Sequence, residues 1–114
     1  MTIEEKKEVM KTILEDKKAR EVEVISLAGR TSLADYFIIA TGGSIPHIRA
    51  LADDIQLQMK TRYGVVPDHV EGYQAGRWIL LDYMDIVVHV FHEEDREYYS
   101  LEKLWEGRKR GAAL

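Results

Sequence analysis

The 114 residues are 46% hydrophobic and 32% charged, with a net charge of −4 and no cysteine, a balance that fits one soluble globular domain. It excludes disulfides, thiolate metal sites and cysteine nucleophiles, and the acidic balance argues against a protein that holds nucleic acid mainly by its phosphates. No apolar run approaches the roughly 20 residues that span a bilayer, and the acidic start Met1-Thr2-Ile3-Glu4-Glu5 lacks the basic-then-apolar profile of a secretory signal, so the expected address is the cytoplasm.

Thr2-Ile3-Glu4-Glu5 matches a capping box, with Thr2 as N-cap and Glu5 reaching back to it. Val9, Met10, Ile13 and Leu14 follow as an apolar stripe at helical spacing, which predicts a first helix ending near Lys18. Residues 22–27 alternate and read as a strand, Gly29-Arg30-Thr31-Ser32 breaks it, and residues 36–40 read as a short buried strand. Thr41-Gly42-Gly43-Ser44 turns the chain into a second helix, with Pro46 in its first turn, where a missing N–H costs nothing. Ile48, Leu51, Ala52, Ile55 and Met59 would face inward, and Gly64 would cap the end. Residues 65–70 read as an edge strand, since Pro67 bars a central position.

A polar loop leads to strands at residues 78–82 and 86–91, joined by a tight turn. Two further segments, 94–99 and 101–105, are helical in character. The basic cluster Arg108-Lys109-Arg110 reads as a solvated tail over residues 107–114, behind a single domain at residues 1–106. The order α-β-β-α-β-β-β-α-α predicts an α/β fold, a mixed sheet of about five strands with helices packed on it.

The hairpin carries most of the functional argument. If Tyr83-Met84 is a two-residue turn, Asp82 faces Asp85 and Trp78 faces His89. One face then carries Ile79, Leu81, Ile86, Val88 and Val90, a core face. The other carries Trp78, Leu80, Val87, His89 and Phe91, with Asp82 and Asp85 at its end. An aromatic-aliphatic patch ending in two carboxylates suits a partner with an apolar knob and a nearby Lys or Arg. Burial of the same face under the C-terminal helices, through Leu101, Leu104 and Trp105, is the equal alternative. Tyr-Met supplies neither the Gly nor the Asn that such a turn favours, so a longer or strained turn with an exposed Tyr-Met tip is expected.

Other chemistries find less support. Gly42-Gly43-Ser44 before a helix could cradle a phosphate, and a nucleotide-binding protein or nucleotidyltransferase-like enzyme using residues 41–44 is the alternative function. No Gly-Lys-Ser/Thr follows, however, and Asp53-Asp54 point different ways on a helix. His47, His69, His89 and His92 show no metal-ligand spacing. No metal or cofactor is expected.

Four stretches, residues 32–44, 70–72, 78–91 and 94–105, stand in the order and spacing of the Iojap family, whose bacterial members are called ribosomal silencing factor S, and the chain resembles that family over nearly all of residues 16–105. The resemblance implies a nucleotidyltransferase-like fold without the catalytic acids, and a non-enzymatic protein. Its members bind the large ribosomal subunit through ribosomal protein fourteen and block joining of the small subunit. They thereby repress translation when nutrients are limiting, and they often form homodimers when free. It also implies a partner-binding site on the hairpin, here Trp78, Asp82, Tyr83, Met84 and Asp85. The family commonly has Gly after the tyrosine of this turn, where this chain has Met84.

Overall fold

The computed structural model describes residues 1–29 and 34–95. Helix α1 (Ile3–Asp16) opens on Thr2, whose side chain accepts from the Glu5 N–H while the Glu5 carboxylate accepts from the Thr2 N–H, the expected reciprocal cap. It ends two residues earlier than expected, with Lys17 as C-cap and Lys18 at φ 65°. Strands β1 (Arg20–Ser26) and β2 (Tyr36–Gly42) follow. Helix α2 (Ile45–Tyr63) begins at Ser44 and ends at Gly64, whose φ of 69° is the left-handed geometry of a helix C-cap. Strands β3 (His69–Glu71), β4 (Trp78–Asp82) and β5 (Ile86–His92) complete the described elements. The helical segments expected at 94–99 and 101–105 lie almost wholly outside the described residues.

The five strands form one sheet in the order β1-β2-β5-β4-β3. Only the central pair, β2 and β5, is parallel; the remaining neighbours are antiparallel. The α/β mixed sheet is as expected, with three local corrections. Thr41 and Gly42 belong to β2, not to the turn. The edge strand expected over 65–70 is only three residues long, because the Val65 N–H is spent on the Met59 carbonyl in closing α2 and Pro67 has no N–H to offer.

The third correction is the hairpin register. Asp82 pairs with Val87, Leu80 with His89 and Trp78 with Phe91, two residues away from the expected pairing. Asp82 and Asp85 therefore do not face one another. A slip of two preserves the period-2 alternation, so the assignment of faces survives. Ile79, Leu81, Ile86, Val88 and Val90 are fully buried in one cluster with Met10, Ile13 and Leu14 of α1 and with Ile48, Leu51, Ala52, Ile55 and Met59 of α2. Both helices thus cover the same face of the sheet.

Candidate functional site

The opposite face is built from paired rows. Phe37, Val87 and Asp82 form one, Ile39, His89 and Leu80 the next, and Thr41, Phe91 and Trp78 the third. Ile39, Thr41 and Phe91 are fully buried, whereas Trp78, Leu80, Val87 and Phe37 are half-buried. The Trp78 ring stacks on Phe91 at 4.7 Å between centroids, and Phe37 meets His89 edge-on at 4.9 Å. The Trp78 indole N–H donates to His89 Nδ1 at 3.2 Å. The neutral imidazole therefore carries its proton on Nε2, which is buried and has no hydrogen-bond partner among the described residues. Burial drives the His89 pKa down to about 4, against a smaller opposing pull from Asp82.

At the other end of β4 the chain reverses through Tyr83, Met84 and Asp85. The Tyr83 N–H donates to the Ile86 carbonyl at 2.9 Å, and the Met84 N–H donates to Asp82 Oδ1 at 2.8 Å. Met84 takes φ 74°, the left-handed conformation that glycine occupies at little cost. The turn is thus longer than two residues and strained at Met84. The expectation of an exposed Tyr-Met tip holds for one residue only: Met84 is 62% exposed, whereas Tyr83 is 4% exposed and enters the helix-covered core. Burial pushes the Tyr83 hydroxyl up to about 12.

Asp85 is held on two sides. Its carbonyl accepts from the Asp35 and Tyr36 N–H groups, and its carboxylate accepts from Lys6 Nζ of α1 at 2.8 Å. Asp82 has a different neighbour in His69 of β3, whose Nδ1 lies 3.5 Å from Asp82 Oδ2. His69 also meets Asp68 and Glu71. Those hydrogen bonds, Asp68 first, raise its pKa. Asp68, His69 and Asp82 bring one ligand atom each within 4.8 Å of one another.

The structure therefore brings Asp82, Met84 and Asp85 together at the turn and leaves Trp78 at the far end of β4, four residues or about 13 Å away at a strand's rise. Lys6 and His69 were not legible as neighbours of the turn, since they come from α1 and β3. The alternative turn at residues 41–44 uses its own polar groups: Ser44 Oγ accepts from the His47 N–H at 3.2 Å, and the Gly43 N–H is 3.3 Å from His47 Nδ1. No helix among the described residues is long and apolar enough to cross a membrane.

Among the described residues, one sheet with α1 and α2 on one face, and a partly buried strip of aromatic and aliphatic side chains running to an acidic turn on the other, define a small α/β module. The family described as "Ribosomal silencing factor during starvation" matches residues 1–113. The chain is 40% identical over 92 residues to ribosomal silencing factor RsfS of Halalkalibacterium halodurans, covering 81% of this chain and 78% of that one. It superimposes on the crystal structure of protein CV0518 from Chromobacterium violaceum with a TM-score of 0.88 at 37% identity, over 93% of this chain and 88% of that chain. A more distant relative is the mouse protein named "Mitochondrial assembly of ribosomal large subunit protein 1", 31% identical over 101 residues, covering 86% of this chain and 44% of that one. The chain belongs to the RsfS family of ribosomal silencing factors, which are regulatory proteins.

Proposed function

We propose that this protein docks on the large ribosomal subunit through ribosomal protein fourteen and, by occupying that position, prevents the small subunit from joining. The reading extends to a cytoplasmic repressor of translation under nutrient limitation, acting without catalysis on a nucleotidyltransferase-like scaffold and forming homodimers when free. Family membership supports the ribosomal target. The observation that carries the site is the strip Trp78, Leu80 and Asp82, half-buried on a face that neither α1 nor α2 covers and continued by exposed Met84. Trp78 supplies a large amphipathic contact area, Met84 an adaptable apolar tip and Asp82 a charge for a basic partner. Asp85 completes the acidic turn, and Tyr83 supports it from beneath. Occlusion needs only an interface of about 1,200–2,000 Å² in the right place.

The mouse relative's name speaks of assembly of the large subunit. A part in assembly through the same surface is the second reading.

Sedimentation of purified large and small subunits, with and without the protein, tests the proposal. The expected result is co-migration with the large subunit and loss of the joined peak. Asp82→Lys should weaken binding about tenfold or more, an energy of about 1.4 kcal/mol per decade. Normal joining with the protein left at the top of the gradient would overturn the proposal. Unchanged affinity of Asp82→Lys would move the site elsewhere.

A further inference from the structure

Asp82 and Asp85 both end the outer strip, yet they stand in different electrostatic situations. The Asp85 side chain is 28% exposed and its carboxylate is bonded to Lys6, whose own side chain is 12% exposed. Lys6 Nζ also lies 5.5 Å from the Tyr83 ring centroid. A basic partner that captured Asp85 would leave this largely buried ammonium unpaired, and such a loss is costly. Among the described residues, Asp82 has no lysine or arginine in contact; its carboxylate receives the Met84 N–H and faces His69 at the exposed edge.

The same end of α1 is anchored a second time. The Tyr36 hydroxyl donates to Glu4, and Lys7 closes on Glu4 at 2.7 Å. The Tyr36 N–H in turn donates to the Asp85 carbonyl at 3.2 Å. The first turns of α1, the start of β2 and the β4–β5 turn are therefore joined in one polar cluster.

Resting on the docking function proposed above, we infer that Lys6 and Asp85 are positioning residues: Lys6 of the N-terminal helix holds the strained docking turn in place through Asp85, and Asp82 is the carboxylate that a basic partner reads. Asp85 then contributes to binding through Lys6, not through the partner. Reversing either charge alone breaks the brace, whereas reversing both rebuilds it with opposite polarity.

The test measures affinity for purified large subunits with the full-length protein and its variants Lys6→Glu, Asp85→Lys, the Lys6→Glu/Asp85→Lys double variant and Asp82→Lys. Each single reversal at the brace is expected to weaken binding about tenfold, and the double variant to return to within about threefold of wild type. Asp82→Lys has no such rescue. A double variant as weak as Asp85→Lys, with native circular dichroism, would overturn the inference and make Asp85 a direct contact. Amide hydrogen exchange decides the matter independently of the ribosome. In Lys6→Met the Asp85 N–H, which donates to the Tyr83 carbonyl, should exchange about tenfold faster while core amides keep their protection. The charge-swapped double variant should restore the wild-type rate. Wild-type exchange at Asp85 in Lys6→Met would sink the brace, whereas failure of the wild-type protein to bind large subunits would sink only the docking function.

Discussion

The two faces of the β4–β5 hairpin are made from alternate residues of the same strands, yet they obey different rules. The inner residues Ile79, Leu81, Ile86, Val88 and Val90 are all aliphatic and fully buried beneath α1 and α2. The outer residues Trp78, Leu80, Asp82, Val87, His89 and Phe91 mix aromatic rings, a carboxylate and an imidazole, and their burial ranges from half to complete. Burial alone accounts for the inner set, because apolar residues of similar volume exchange there at modest cost. It does not account for His89, whose Nε2–H is buried without an acceptor among the described residues, an arrangement that costs stability. The stabilising face and the proposed recognition face are thus interleaved at a spacing of one residue. Each face can be perturbed without altering the other's side chains.

The largest separation should come from truncating the inner face. Leu81→Ala removes a fully buried side chain and should cost about 2–5 kcal/mol. Denaturant unfolding would measure it, and at low temperature the folded fraction should still bind large subunits with native affinity. A loss below about 1 kcal/mol would mean that this face is not the stability determinant. Next comes the response of the outer face to acid. His89 is depressed to about 4 when folded against 6.5 for the free side chain, so between those values the unfolded chain binds the extra proton. Stability from this group is therefore complete above pH 6.5 and is lost as pH falls toward 4, by roughly 3 kcal/mol. His69 works in the opposite sense: its raised pKa adds stability that is present below pH 6.5 and fades as pH rises through the folded value. Unfolding midpoints from pH 4 to 8 should rise steeply to about 6.5, and His89→Gln should flatten that limb. An unaltered limb in His89→Gln would assign the acid sensitivity to carboxylates instead.

The features legible in the sequence were those set locally. The Thr2–Glu5 cap, the inward face of α2, Gly64 and the bounds of β4 follow from spacings of two to four residues. The hairpin register needed information that the turn's letters do not carry. Nothing in Tyr-Met announces that Tyr83 turns inward as a core residue while Met84 takes positive φ. The alternation nonetheless fixes the faces, because a register slip of two residues leaves each side chain on the same side of the sheet. The short β3 depends on Val65 being drawn into the helix cap, a competition between two local signals. At the site, the outer strip was visible from alternation, but the Lys6–Asp85 pair spans 79 residues and no pattern links its members. Gly72 lies between these cases. The stretch Val70-Glu71-Gly72 carried part of the family resemblance, and the structure supplies the reason: at φ 79° a Cβ on this residue would fall 2.1 Å from the Trp78 carbonyl oxygen.

The smallest effect addresses the one residue where the two roles coincide. Met84 holds φ 74° with 62% of its surface exposed, so replacement sacrifices little packing. The left-handed conformation costs a side-chain-bearing residue about 1–2 kcal/mol, and glycine gives back about 0.5–1 kcal/mol of that through its larger unfolded-state freedom. Met84→Gly should therefore stabilise the protein by up to about 1 kcal/mol, raising the thermal midpoint by a few degrees, whereas Met84→Ala should not. Affinity for large subunits then separates two uses of the residue. If the thioether is a contact, Met84→Gly gains stability and loses binding, and the strain is retained for recognition. If only the path of the turn matters, the glycine variant binds as well as or better than wild type, and Asp82 with the Trp78–Leu80 strip carries the interface alone.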